Sequence, residues 1–117
     1  MPFIHTDLAA GKWFELSIED QLGNVGSDIY RALQWKKRGN QEDLQGALDR
    51  ALELIDLTIQ DKRWKKRLKE LCRVREIVCD YFFGSNEYQS TPESLQQYFD
   101  YFALIAQGRR REARSHH

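Results

Sequence analysis

Apolar residues recur every three or four positions through four stretches of this chain, and each stretch reads as an amphipathic helix. From about Phe14 to Arg38 the apolar positions are Phe14, Ile18, Leu22, Val25, Ile29 and Leu33. Gly23 and Gly26 interrupt this stretch, each at about 1 kcal/mol relative to alanine. Gly26 flanks the stripe, where a missing side chain lets a neighbouring helix come close. Gly39 follows Lys36, Lys37 and Arg38 and ends the helix, with cations at the negative end of its dipole. Asn40 then caps a second helix whose first turn carries Glu42 and Asp43. Leu44, Ala47, Leu48, Ala51, Leu52, Ile55, Thr58 and Ile59 form its core stripe, with Asp49, Glu53 and Asp56 opposite.

No glycine or proline separates this helix from the third stretch, Asp61 to Gly84. Phase argues against one long rod, because continuing it would turn the later stripe about 200° from the earlier one at ~100° per residue. A tight break near Gln60 to Lys62, capped by Asp61, brings both stripes onto one core. The third stretch carries two apolar faces. Trp64, Leu68, Leu71, Cys72, Val78, Cys79 and Phe82 share the broader one, with Arg75 near its centre. Val74, Ile77 and Tyr81 form the narrower one, and Lys62, Lys66, Lys69 and Arg73 line up between them. One apolar face suits a core; the second predicts a further contact.

Thr91-Pro92-Glu93 starts the fourth helix with a capping hydroxyl, a proline at the first helical position and an acid behind it. Leu95, Tyr98, Phe99, Phe102, Ile105 and Ala106 make its core stripe, and Gly108 is expected to close it. Short connections favour antiparallel neighbours, so the expected fold is all-α, an antiparallel up-down-up-down four-helix bundle over residues 13–108. Residues 1–12 read as a partly ordered arm and 109–117 as a frayed tail. The final Arg-Ser-His-His is either native or the remnant of a purification tag.

At 117 residues the chain is long enough for a real core. Eighteen basic residues balance eighteen acidic ones, so no long-range field concentrates the molecule on nucleic acid or an anionic membrane. Binding of either kind has to come from a local patch. No apolar run approaches the ~20 residues needed to span a bilayer, and the N-terminal sequence lacks the pattern of a signal peptide. Cys72 and Cys79 lie roughly 10 Å apart along one helix at ~1.5 Å per residue, too far to pair. They read as buried free thiols of a cytoplasmic protein.

No Gly-rich phosphate loop, HExxH or nucleophile with a suitably spaced histidine is present, and no metal or cofactor is expected. The only histidines, His5, His116 and His117, lie in the tails. Arg111 and His116 match the arginine–histidine spacing of some helical ribonucleases but fall beyond the last expected helix. Arg75 lies within an apolar stripe, where an unpaired charge is costly. It is either in a partly buried ion pair, with Asp28 or Glu15 of the first helix as partner, or a snorkelling side chain, or else an anion or RNA contact in an inter-helix pocket. Lys62, Lys66, Lys69 and Arg73 begin at a helix N-terminus, the end where positive charge is disfavoured. They either match the acidic row Asp49, Glu53 and Asp56 or present a surface to RNA or an acidic partner. Val74, Ile77 and Tyr81, together with Leu57, Tyr101, Leu104, Trp13 and Trp35, point away from their main stripes. A lengthwise apolar row with aromatics marks an interface, so self-association is expected.

The stretches WFELS (13–17), ALELIDLTI (51–59), RLKEL (67–71) and DYFFG (80–84) resemble an uncharacterised bacterial family of small helical proteins. In build this family is similar to the four-helix-bundle proteins encoded in 23S ribosomal RNA intervening sequences and to the accessory variability proteins of retroelements. The resemblance covers residues 13 to 107 as architecture, and transfers no site residue. The retroelement proteins are basic oligomers that engage nucleic acid and a reverse transcriptase; this chain departs from them in having no net charge. The expected function is a non-enzymatic, self-associating binding or scaffolding module that contacts RNA or an acidic partner. The alternative is a helical ribonuclease or toxin-like enzyme with an unrecognised site.

Overall fold

A computed structural model describes residues 11–115. A short 3-10 turn, Lys12–Glu15, precedes helix α1, Ile18–Arg38; α2 is Gln41–Gln60. A second 3-10 stretch, Lys62–Arg67, leads into α3, Leu68–Phe83, and α4 is Pro92–Ser115. Among the described residues there is no strand. The expected arm at 1–12 lies almost wholly outside the described residues, as do His5, His116 and His117.

The helix ends follow local chemistry. Ser17 caps α1 by accepting from the Asp20 amide at 3.1 Å, and Gly39 closes it in the left-handed region at φ 74°. Asn40 accepts from the Asp43 amide at 3.0 Å and opens α2. Asp61 ends α2 and caps the following 3-10 stretch through the Arg63 amide at 3.1 Å. Phe14, expected at the start of the first helix, belongs instead to the 3-10 turn. Gly108 does not stop α4, which runs on to Ser115. Arg109 and Arg110, expected in a frayed tail, reach Glu19 at 3.0 Å and Asp20 at 2.6 Å on the first turn of α1. These pairs explain why the helix continues past its glycine.

α1 packs along both α2 and α4, and α2 packs against α3. The close approach of α1 to α4 depends on Gly26, where an added Cβ would stand 2.6 Å from Phe99 Cβ. Trp13, Leu22, Ile29, Leu48, Ile55, Leu71, Val78 and Phe99 fill the centre of the core.

Two residues expected off the core are inside it. Leu57 is 2% exposed and Val74 is 8% exposed. Trp13 is buried as well, because the 3-10 turn folds its indole back against α2, where it donates to Thr58 Oγ1 at 3.1 Å. Ile77 and Tyr81 are half-buried against the same core. The narrower face of α3 thus adjoins its core face rather than standing apart from it. The broader face holds in part: Leu71 and Val78 are buried and Trp64 and Phe82 pack against the core. Leu68 and Cys72, expected inside, are exposed, while Cys79 is half-buried. Trp35 is half-buried against Ala32, Leu44 and Ala47, with the Arg38 guanidinium 5.3 Å from its ring.

A buried polar knot holds the turn between α2 and α3. The Gln21 amide nitrogen donates to the Trp13 carbonyl at 2.9 Å and to Asp61 Oδ2 at 3.0 Å. Gln21 Oε1 accepts from Trp64 Nε1 at 2.8 Å. Arg63 bridges Asp61 Oδ2 at 2.7 Å and the Leu16 carbonyl at 2.6 Å. Burial pushes the Asp61 carboxyl up, but the hydrogen bonds from Arg63 and Gln21 outweigh it and hold the group below its ordinary value.

Candidate functional site

The 3-10 stretch and the first turns of α3 carry the densest charge in the chain. Seven of the twelve residues from Lys62 to Arg73 are Lys or Arg. Arg63 is tied to Asp61 at 2.7 Å and Arg67 to Glu70 at 2.9 Å. Lys62, Lys66, Lys69 and Arg73 are exposed and make no ion pair among the described residues. Lys65, which the sequence pattern did not single out, shares this condition. Asp56 is engaged by Arg75, and Asp49 accepts from Gln45 at 2.8 Å.

Arg75 is paired, but with neither partner expected for it. Its Nε donates to Asp56 Oδ1 at 2.6 Å across the α2–α3 contact. Asp28 is held instead by Arg31 at 2.7 Å and Arg50 at 3.7 Å. The Asp56 hydrogen bond raises the Arg75 pKa. Both side chains are nevertheless accessible, at 42% and 44%, because the true core face of α3 is turned away from Arg75. It is a surface clamp rather than a buried charge.

Between α3 and α4 lies a cleft that no pattern of residues announces. One end is closed by a polar bracket: Tyr98 Oη donates to Glu70 Oε1 at 2.8 Å, and Arg67 donates to the same oxygen at 2.9 Å. The Arg67 hydrogen bond holds Glu70 below its usual carboxylate value despite partial burial, with Tyr98 adding to the effect. Burial, and the bond to Glu70, push the Tyr98 phenol well up. Beyond this bracket the helices stand apart and leave a cleft of about 300 Å³. Val74, Ile77, Leu95, Tyr98 and Phe99 form its walls, and Arg73 stands at its lip. Tyr98 was the retrievable signal, since a tyrosine inside a core stripe has to find a polar partner for its hydroxyl.

On the outer side of α4, Tyr101 is 62% and Leu104 is 67% exposed. These two members of the expected interface do stand off the core. Leu57 and Val74 are buried in it, and Ile77 and Tyr81 lean on it.

Arg111 is exposed on the last turns of α4, and its expected companion His116 lies outside the described residues. Among the described residues no group of His, Cys, Asp and Glu is placed to hold a metal ion, and no helix is long and apolar enough to cross a membrane. Comparison with protein-family models, with curated proteins and with solved structures finds no match to this chain.

Proposed function

We propose that this protein is a cytoplasmic, non-enzymatic binding module, an antiparallel up-down-up-down bundle that engages an acidic protein surface through its cationic row. One observation carries the reading: Lys62, Lys65, Lys66, Lys69 and Arg73, within one twelve-residue segment, are exposed and make no ion pair among the described residues. Elsewhere Arg31, Arg50, Arg75, Arg109 and Arg110 are each matched to a carboxylate, whereas Lys36, Lys37 and Arg38, also exposed and without an ion pair among the described residues, sit at the end of α1 where the helix dipole favours them. Like charges crowded on one segment repel, and Lys69 on the first turn of α3 also opposes the helix dipole. An anionic surface laid over the row removes both costs. RNA is the alternative occupant, and the test below separates the two.

The test uses full-length protein without a tag, binding to poly-L-glutamate and to total RNA between low and moderate salt. Salt-sensitive binding to polyglutamate, lost in the triple variant K62E/K66E/K69E, is the expected result. Preference for RNA without cleavage would move the reading to nucleic acid, and cleavage would move it to a ribonuclease. Binding to neither at low salt would remove it.

Self-association is the second part of the reading. Tyr101 and Leu104 favour it, since large apolar side chains left bare side by side mark interfaces more often than idle surface.

A further inference from the structure

We infer that the acidic partner offers a short segment of two parts: a run of carboxylates laid over the cationic row and, just beyond it, one large apolar side chain seated in the α3–α4 cleft. This rests on the cationic-row reading of the proposed function and specifies the chemistry of the partner. The row and the cleft share a residue. Arg73 is the last member of the row and stands at the lip of the cleft, whose walls include Val74, Ile77 and Phe99. Lys69, Arg73 and Ile77 follow one another at the i, i+4 spacing that aligns side chains along a helix, ~6 Å per step at ~1.5 Å per residue. The exposed cations thus lead directly into an apolar hollow.

Charge changes along this face at the cleft. From Lys62 to Arg75 eight residues are Lys or Arg and one, Glu70, is acidic. From Glu76 to Gly108 there is no Lys or Arg, against five Asp or Glu. Glu70 itself is matched, because Arg67 and Tyr98 both donate to it, at 2.9 and 2.8 Å. A segment that is acidic over the row and uncharged over the cleft therefore meets suitable groups along its whole length. The hollow in turn selects the apolar part. Its volume of about 300 Å³ equals about ten water molecules at ~30 Å³ each, room for one large side chain and not for a helix. Tyr98 and Glu70 are bonded to each other, and the Ser94 hydroxyl donates to the Thr91 carbonyl at 3.1 Å. A nucleobase placed there gives up water for walls that offer its polar edge few partners, which is costly. A phenyl or aliphatic group has no polar edge to satisfy, and this favours a protein segment over RNA. A small carboxylic acid would match Arg73 alone and leave the four lysines of the row unpaired. An extended segment advances ~3.3 Å per residue, so the ~6 Å from Arg73 to Ile77 sets the apolar residue about two positions beyond the carboxylate that meets Arg73.

Calorimetric titration of the full chain at low salt tests this with three synthetic peptides. One is hexaglutamate, one adds serine and then phenylalanine after the glutamates, and one places phenylalanine and then serine before them. One of the two orders should bind about tenfold tighter than hexaglutamate, the gain expected when a phenyl group is partly withdrawn from water. Ser94→Glu, which sets a carboxylate at the mouth of the cleft, should abolish that gain. Hexaglutamate binding should stay within about threefold, the scale of one exposed charge interaction. The fold tolerates this change, since a glutamate three residues after the Thr91 cap can accept the bond that the Thr91 amide now donates to Ser94 Oγ at 2.9 Å. Circular dichroism should accordingly report unchanged helix content. K62E/K66E/K69E should weaken all three peptides. A gain absent in both orders while hexaglutamate still binds, or one that survives Ser94→Glu, would overturn the cleft as the apolar site and leave the cationic-row reading standing. Binding of none of the three peptides would overturn both. Tighter binding of oligouridylate than of either phenylalanine peptide would overturn the choice of a protein segment.

Discussion

Gly26 on α1 faces Phe99 on α4 so closely that a Cβ built at Gly26 would stand 2.6 Å from the Cβ of Phe99. The neighbour is not the tip of a flexible chain that could swing aside; it is the stem of a fully buried ring. Accommodation therefore means parting α1 from α4. Gly26→Ala gains about 1 kcal/mol of helix propensity, but forced overpacking costs about 1–3 kcal/mol, so a net loss of up to about 2 kcal/mol is expected. Gly46 is the control. A Cβ there meets only Arg50 Nη1 at 3.8 Å, and Gly46→Ala should stabilise by about 0.5–1 kcal/mol. Urea unfolding of the two variants checks both signs.

The knot around Gln21 predicts a larger effect from a smaller change. Gln21→Leu keeps the volume but leaves Trp64 Nε1 without its acceptor and Asp61 and the Trp13 carbonyl each short of a donor. With buried groups costing ~1–3 kcal/mol each when unsatisfied, a loss of about 2–4 kcal/mol is expected in chemical denaturation.

Acid should find the same place. Asp61 is held below its ordinary value of 3.8 in the folded protein, and Glu70 below its ordinary 4.5. For a depressed carboxylate the stabilisation is complete above the unfolded-state pKa and is lost as pH falls through the lower folded-state value. Stability should therefore fall on acidification below about pH 4.5. Asp61→Asn should flatten that acid limb while lowering stability at neutral pH, read from urea midpoints across pH 2–7.

The helices themselves were legible because each end carries its own chemistry: Asn40, Asp61, Gly39 and Thr91-Pro92 all act locally. The phase of α3 was not. Leu68 and Cys72 are apolar yet exposed, and counting them as core pulled the apparent stripe around the helix, leaving Val74, Ile77 and Tyr81 to look like a separate face. Trp64 added to the error, since it sits in a 3-10 stretch with φ −103° and ψ 26°, where the turn per residue is ~120° rather than ~100°. No residue type announces such a stretch. The end of α4 was hidden for another reason: Arg109 and Arg110 hold it through Glu19 and Asp20, some ninety residues earlier in the chain. The density of cations from Lys62 to Arg73 could be read because it needs only composition. The cleft could not, because it depends on the distance between two helices.

The corrected phase of α3 has a direct chemical check. Cys72 is exposed and Cys79 half-buried, the reverse of two thiols sharing a core face. Under native conditions a thiol reagent should label Cys72 quickly and Cys79 several-fold more slowly, as mass spectrometry of the digested protein would resolve. Equal protection of both would restore the broader apolar face to the core.

Arg75 and Asp56 give the last expectation, and the arithmetic depends on exposure rather than distance. At 2.6 Å the contact is short, and in a dry interior its loss would cost ~3–5 kcal/mol. Both side chains are more than 40% accessible, however, so water screens the attraction and hydrates whichever partner is left behind. Exposed pairs of this kind contribute ~0.2–1 kcal/mol. A double-mutant cycle of Arg75→Met and Asp56→Asn should give a coupling in that range, and it should shrink as salt is raised. Arg75→Met alone should leave polyglutamate binding unchanged, because Arg75 faces α2 and its charge is already matched. Loss of that binding with unaltered stability would instead place Arg75 among the residues that meet the partner.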